Sequence, residues 1–413
     1  MKNIFQTLIL LVSTSFLILS CGGGSSEKKA DASAETAYKL GFIPLTDCAP
    51  LVIAKEKGFF EKAGVKVELS KEASWANVRD KVLNGELNGA HCLFGMPFSV
   101  YTGIGGKAGE EMKIAMVLNE NGQAITLSKE FCGAVAPKDV SKVNATITAM
   151  KKKKPELAFA MTFPGGTHDL WLKIWMEACG IDMKSVKTIT IPPPQMVANM
   201  KVGNMDGYSV GEPWNGKAVA DTIGFTHVAS QDIWKNHTEK ALVVNKTFSE
   251  TKKDDLKKIM KAVIEAQKWL DDPINRAEAA TILGQQKYVN APAEVIKGRL
   301  TGTYKQGCGL PEFSYTDDNM KFYDNGLVSF PRKSHATFFL ASYVRYGYLP
   351  VEPNYKEITD KLILSDLYAE VAKEVGLTMP EDMKPFDITI LKKTFDPNNP
   401  SVFAKPVAVA AAK

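Results

Sequence analysis

Between residues 38 and 202 short apolar runs alternate with segments of helical period, and no other feature constrains the fold as tightly. Residues 38–44 (YKLGFIP) form a short apolar run closed by Pro44. A helical stretch at 49–57 follows and stops at Gly58, and Gly64 introduces an alternating strand at 65–69. The order continues with a helix at 76–83 and strands at 90–94, 113–118 and 157–163. A helix at 169–179, a strand at 186–191 and a helix at 195–202 complete it. Strands and helices alternating at these lengths predict an α/β architecture of parallel sheets covered by helices. Beyond Asn245 the pattern turns helical. Over 254–270, Leu256, Ile259, Met260, Val263, Ala266 and Leu270 share one face, while Lys257, Lys258, Lys261 and Lys268 lie mostly elsewhere. Two further helices are expected at 336–346 and 358–375.

A chain of 413 residues has room for two or three domains. Hydrophobic residues at 45% and charged residues at 23% exclude disorder over most of its length. The net charge of +5 is spread out, which argues against a nucleic-acid surface. The four lysines at 151–154 read as a solvated loop. Met1-Lys2-Asn3 is a short basic start, followed by a nearly uninterrupted apolar run over 4–19. That run is too short for a stable membrane span, so residues 1–20 read as a signal peptide. Cys21, followed by GGGSS, resembles a bacterial lipoprotein processing site. The resemblance implies cleavage before Cys21, its lipidation, and a flexible tether over 21–37. Ordinary secretion with cleavage further on is the alternative. Removing Cys21 leaves Cys48, Cys92, Cys132, Cys179 and Cys308, an odd number, so at least one thiol is free. No disulfide is assigned, and the absence of a C-x-x-C pair argues against a thiolate metal site.

A weak internal echo suggests two similar α/β lobes. Residues 85–98 read GELNGAHCLFGMPF and residues 203–214 read GNMDGYSVGEPW. Each has a Gly-bounded turn, a short apolar strand and then G-x-P-aromatic. Ligands of open α/β sheets bind beyond the carboxyl ends of strands, which makes Pro97, Glu212, Pro213 and Trp214 candidate cleft walls. A structural reading of Glu212, a carboxylate held by nearby backbone, is preferred to a catalytic one.

The strongest local constellation is FPGGTHD at 163–169, between a strand and a helix. Its glycines permit a tight turn, Thr167 is placed to act as the N-cap, and free N–H groups at a helix start attract an anion. No nucleotide loop, nucleophile elbow or H-E-x-x-H helix occurs. The five histidines, His91, His168, His227, His237 and His335, are scattered, and His91, His227 and His335 read as structural.

Four blocks carry a resemblance: IPLTDCAPLVIAKEKGFFEKAGVKVEL, FPGGTHDLWLKIWMEACGID, PPPQMVANMKVGNMDGYSVGEPWN and FPRKSHATFFLASYVRYGYL. They resemble the nitrate- and bicarbonate-binding lipoproteins of bacterial ABC importers, within the nitrate, sulfonate and taurine solute-binding group. The resemblance implies a two-lobed, type II periplasmic-binding-protein-like C-clamp with additional C-terminal helices. Its first lobe would take residues 38–125, the second 126–235, a return to the first with helices 236–330, and an extension 331–413. It also implies an oxyanion held by Trp75, Gln123, Gly166, Thr167, His168 and Lys240, with no cofactor, no metal and no catalysis. The expected partners are nitrate or nitrite, an ABC permease and a membrane reached through the lipid anchor, on the periplasmic or extracytoplasmic face. The family's bicarbonate binders carry an acidic residue and a calcium ion where its nitrate binders carry the lysine. Lys240 therefore disfavours a metal, since a cation beside an ammonium is repelled, whereas the adjacent Glu239 in that place would reverse the inference. A calcium-dependent bicarbonate carrier is thus the first alternative. A nitrate sensor or a pyrimidine-synthase-like enzyme is a weaker one.

Overall fold

The computed structural model describes residues 37–315 and 319–407. The signal peptide, the tether and Cys21 lie outside the described residues, as do the last six. Ten strands form the framework: β1 (Tyr38–Phe42), β2 (Val67–Lys71), β3 (Gly89–Leu93), β4 (Met112–Glu120), β5 (Gln123–Ser128), β6 (Ala158–Met161), β7 (Lys187–Thr190), β8 (Gly207–Gly211), β9 (Gly224–Ala229) and β10 (Thr238–Asn245). They make two five-stranded sheets, ordered β2-β1-β3-β10-β4 and β7-β6-β8-β5-β9. The orders correspond place for place, with β3 and β8 both central. These are the two strands of the sequence echo.

The sheets are mixed, where the alternation of elements predicted parallel ones. β1, β2 and β3 run parallel, as do β6, β7 and β8. β10 is antiparallel to β3 and β4, and β5 is antiparallel to β8 and β9. The cause is the chain's double crossing. It leaves the first sheet after β4, enters the second as β5, and returns as β10, so each crossing strand runs against its host sheet. Asn121 and Gly122, between β4 and β5, take positive φ values of 61° and 96°, which lets the chain turn into the second lobe within two residues.

Helices cover both sheets. Lys253–Asp271 buries Leu256, Ile259, Met260, Val263, Ala266 and Leu270, the face expected from its period. Each of these side chains larger than Ala266 contributes roughly 1.5–3 kcal/mol relative to exposure. Gln267 on the same face donates to the carbonyls of Val117 and Leu118 at 3.0 and 2.9 Å. That ties the helix to β4. The long helix expected at 358–375 is two helices, Tyr355–Leu362 and Ser365–Glu374. Ile363 and Leu364 between them leave the helix to engage Ile114 of β4, by a parallel bridge and a 2.9 Å backbone hydrogen bond. Cys132 and Cys308 form a disulfide, a pairing that the sequence left unassigned, while Cys48, Cys92 and Cys179 are free and buried. The two bonded residues are 176 positions apart, so only the tertiary fold brings them together. Among the described residues no helix is long and apolar enough to cross a membrane.

Candidate functional site

The site is organised by β10. Simple alternation would send the side chains of Glu239 and Lys240 to opposite faces. The register of β10 against β4 shifts between Thr238 and Lys240 and again between Lys240 and Ala241. This irregularity redirects the strand, and both side chains enter one fully buried cluster. Lys240 Nζ donates to Asp47 Oδ2 at 2.7 Å and to Glu239 Oε1. Asp47 lies in the short 3₁₀ turn Thr46–Cys48 that follows β1. Its other oxygen is 2.7 Å from Nε2 of His91, on β3. The Trp75 ring stands at the start of helix Trp75–Leu83, with Lys240 Nζ 5.9 Å from its centroid and the His91 ring 5.6 Å away.

The second lobe supplies the facing groups. Gln123, first residue of β5, donates its amide to Glu239 Oε2. His168 occupies the second position of helix Thr167–Ala178. Its Nε2 lies 3.2 Å from Glu239 Oε1 and 3.5 Å from Lys240 Nζ, and its Nδ1 is 2.6 Å from Thr162 Oγ1. These partners assign a proton to Nε2, leaving Nδ1 to accept from the threonine. Thr167 is not the N-cap: that position belongs to Gly166, and the Thr167 hydroxyl donates instead to the Glu239 carbonyl at 3.4 Å. Gly166 is required by proximity, because a Cβ there would come within 2.8 Å of Leu93 and 3.1 Å of the Phe163 carbonyl. Gly211, at the end of β8, closes the cluster, and a Cβ on it would sit 3.3 Å from Asp47 Oδ2 and 3.5 Å from His168 Nε2.

Burial alone would raise both carboxyls, but Lys240 and His91 bring Asp47 down to about 2. Lys240 and His168 likewise hold Glu239 below its ordinary range. Burial opposes the charge on Lys240, yet Asp47 and Glu239 raise its pKa above the usual value. Burial lowers His91 and His168, and for His168 the Lys240 charge adds to the effect. At neutral pH the cluster therefore holds two carboxylates, one ammonium and two neutral imidazoles. Trp75 Nε1, Thr46 Oγ1 and Gln123 Oε1 are buried in the same region and make no hydrogen bond to another protein group.

The donors expected from the sequence thus meet. Gln123, His168 and Lys240 converge on one carboxylate, with Thr167 and Trp75 beside them. A planar oxyanion is the chemistry such a fork of donors holds. A divalent cation does not fit, because the Lys240 ammonium already stands between the two carboxylates and would repel it. Among the described residues no group of three or more His, Cys, Asp or Glu is placed to hold a metal.

Residues 31–284 match the NMT1-like family. The chain belongs to that family. It is 38% identical over 400 residues to the nitrate/nitrite binding protein NrtA of Synechococcus elongatus, across 94% of this chain and 90% of that one. The bicarbonate-binding protein CmpA of the same species is 31% identical over 356 residues, 82% of this chain and 78% of the other. The crystal structure of the periplasmic nitrate-binding protein NrtA from Synechocystis superposes with a TM-score of 0.84 at 36% identity, covering 90% of this chain and 98% of that one. The two-lobed type II fold is common to both.

Of the expected cleft-wall residues, Glu212 and Trp214 make contacts across the lobe boundary. Glu212 accepts from Arg299 Nη1 at 3.0 Å and from Gly216 N at 3.2 Å, and its backbone bonds to Thr46 and Gly122. One backbone N–H and one guanidinium thus hold this carboxylate. Pro213 precedes helix Trp214–Ala220, and Trp214 Nε1 donates across the boundary to the Pro44 carbonyl at 3.0 Å. Pro97 is buried in the first turn of helix Met96–Tyr101. Sequence reasoning missed Asp47 and took His91 for a structural residue. Asp47 lies in the turn beyond the carboxyl end of β1, and that position was the signal available for it; His91 is the middle residue of β3 and carries no such signal.

Proposed function

We propose that this protein is the solute-binding component of an ABC importer, capturing nitrate or nitrite between its lobes and presenting it to a permease. The observation that carries the reading is the convergence of Gln123, His168 and Lys240, drawn from both lobes, on the buried carboxylate of Glu239. Nitrate is likewise planar, carries one negative charge and can only accept hydrogen bonds, so it wants donors throughout. Lobe closure replaces its water with these fixed donors, and the contrast between open and closed forms signals occupancy to the permease. Capture rather than chemical conversion is the activity, in line with the binding proteins among its relatives.

The leader at 1–20 and the tether at 21–37 support export and anchoring through a lipid on Cys21, at the extracytoplasmic face of a membrane. Labelled palmitate should enter the protein and be lost in Cys21→Ser. Titration calorimetry of the purified protein tests the ligand: nitrate should release heat and raise the melting temperature. No heat and no thermal shift at millimolar nitrate would overturn the reading. EDTA separates it from calcium-dependent bicarbonate capture, and nitrate affinity should be indifferent to the chelator.

A further inference from the structure

Helix Lys333–Arg345, in the C-terminal part of the chain, contacts residues of both lobes. Near its start, His335 Nδ1 is 2.7 Å from Thr238 Oγ1, where the chain re-enters the first sheet. Midway, Phe339 packs against Phe94 of the first lobe and Trp171 of the second, with ring centroids 5.5 and 5.7 Å apart. Near its end stands Tyr343, fully buried. Its hydroxyl lies 2.8 Å from the Gly95 carbonyl oxygen and 2.6 Å from that of Gly165. Gly95 follows β3 in the first lobe. Gly165 lies in the second-lobe turn that leads into the His168 helix.

A phenol has one proton to donate, so the two carbonyls share it. Both are buried and converge on one atom; the Gly95 oxygen also accepts from Ser99 N at 3.0 Å, so loss of the phenol proton falls chiefly on the Gly165 carbonyl. Ser99 Oγ, also from the first lobe, donates to the neighbouring Pro164 carbonyl at 2.7 Å. The approach is tight. Gly165 has a φ of 68°, and a Cβ on it would sit 2.8 Å from Ser99 Oγ. Gly95 and Gly165 lie in different lobes, so separation of the lobes would part them and let water reach each carbonyl.

We propose that Tyr343 is a positioning residue that latches the closed state. Its hydroxyl ties the Pro164-Gly165-Gly166 turn of the second lobe to the Gly95 turn of the first. The C-terminal extension thereby sets how long a captured anion is held. The bridge exists only when the lobes are closed, so it governs release and leaves encounter alone. The inference relies on the anion-binding reading for its ligand but not for the latch itself.

Tyr343→Phe keeps the ring and removes the bridge. Stopped-flow measurement with nitrate should show release accelerated about tenfold, equivalent to about 1.4 kcal/mol, with association changed less than about twofold. Ser99→Ala should act in the same direction, more weakly. Small-angle scattering should show a smaller closed fraction for Tyr343→Phe than for the wild type, while the ligand-free melting temperature is unchanged. Wild-type release together with a wild-type closed fraction would overturn the latch. So would a ligand-free melting temperature that falls in step with affinity, since that marks a general packing role. Should the wild type bind no nitrate, the proposed function fails, and the closed fractions of the two ligand-free proteins still decide the latch.

Discussion

Lys240 stands between two carboxylates, which decides which substitutions are informative. Removing the lysine strands Asp47 and Glu239 as buried, uncompensated charges, a loss of roughly 3–5 kcal/mol that would confound any binding measurement. Glu239→Gln is cleaner. It keeps the shape, leaves Lys240 its 2.7 Å partner Asp47, and frees the donors of Gln123 and His168 from a resident negative charge. Nitrate affinity by calorimetry should rise, by about tenfold if one competing charge-assisted hydrogen bond is lost. A fall would show that Glu239 orients the donors instead of competing for them. Asp47 makes a separate prediction. Its carboxyl is held at about 2 against an ordinary 3.8, so its stabilisation is present above pH 3.8 and drains away as pH falls towards 2. The amount is on the order of 2 kcal/mol. Acid unfolding followed by circular dichroism should show Asp47→Asn losing that part of the pH dependence.

At the scale of elements, the crossing strands carry what the pattern of residues did not reveal. β1, β3, β4, β6 and β8 are legible as apolar runs, and β2 and β7 as short strands introduced by turn residues. β10 reads TEKALVVN, polar where it enters the cleft and apolar where it lies in the sheet. Its register shifts erase the two-residue period just where the functional pair sits. Glu120 marks the other crossing, as the last residue of β4. Burial pushes its carboxyl up to about 8, with Arg332 and Lys321 pulling the other way. The folded chain then keeps a proton that the unfolded chain releases near 4.5, so stability falls as pH rises between those values. Glu120→Gln should be more stable than the wild type at pH 8, by on the order of 2–4 kcal/mol, and equal to it at pH 4. Urea unfolding at the two pH values tests the sign. Glu120 also faces Asp324 and Asp271, so the buried carboxylate has both kinds of neighbour.

For the molecule as a whole, two constraints act on the closed form. The Cys132–Cys308 disulfide links the second lobe to a hairpin, Thr303–Lys305 with Glu312–Ser314, reached only after the chain has returned to the first. Closing a loop across a separation of 176 residues restricts the unfolded chain by about 5 kcal/mol in the loop-entropy model. Dithiothreitol should lower the melting temperature, and the double variant Cys132→Ser/Cys308→Ser should match the reduced protein while binding nitrate normally. The ligand is the second constraint. At one hundred times its dissociation constant nitrate should add about 2.7 kcal/mol to stability, an increment that Tyr343→Phe should leave intact at equal saturation.

By itself the sequence determined the α/β class, the helical layer and the turn that opens the His168 helix. Each rests on local periodicity or turn chemistry, which neighbouring residues fix among themselves. The resemblance carried by four blocks added the lobes and the candidate donors. The tertiary structure alone decided the direction of the crossing strands and the pairing of two cysteines far apart in the chain. It also decided that Glu239 and Lys240 face the same way. A register shift in β10 is settled by its partner β4, and the partners of a buried charge come from whichever strands end beside it. Asp47, His91, Gln123 and His168 lie on four separate segments. Only tertiary packing could bring them into one buried cluster with Glu239 and Lys240.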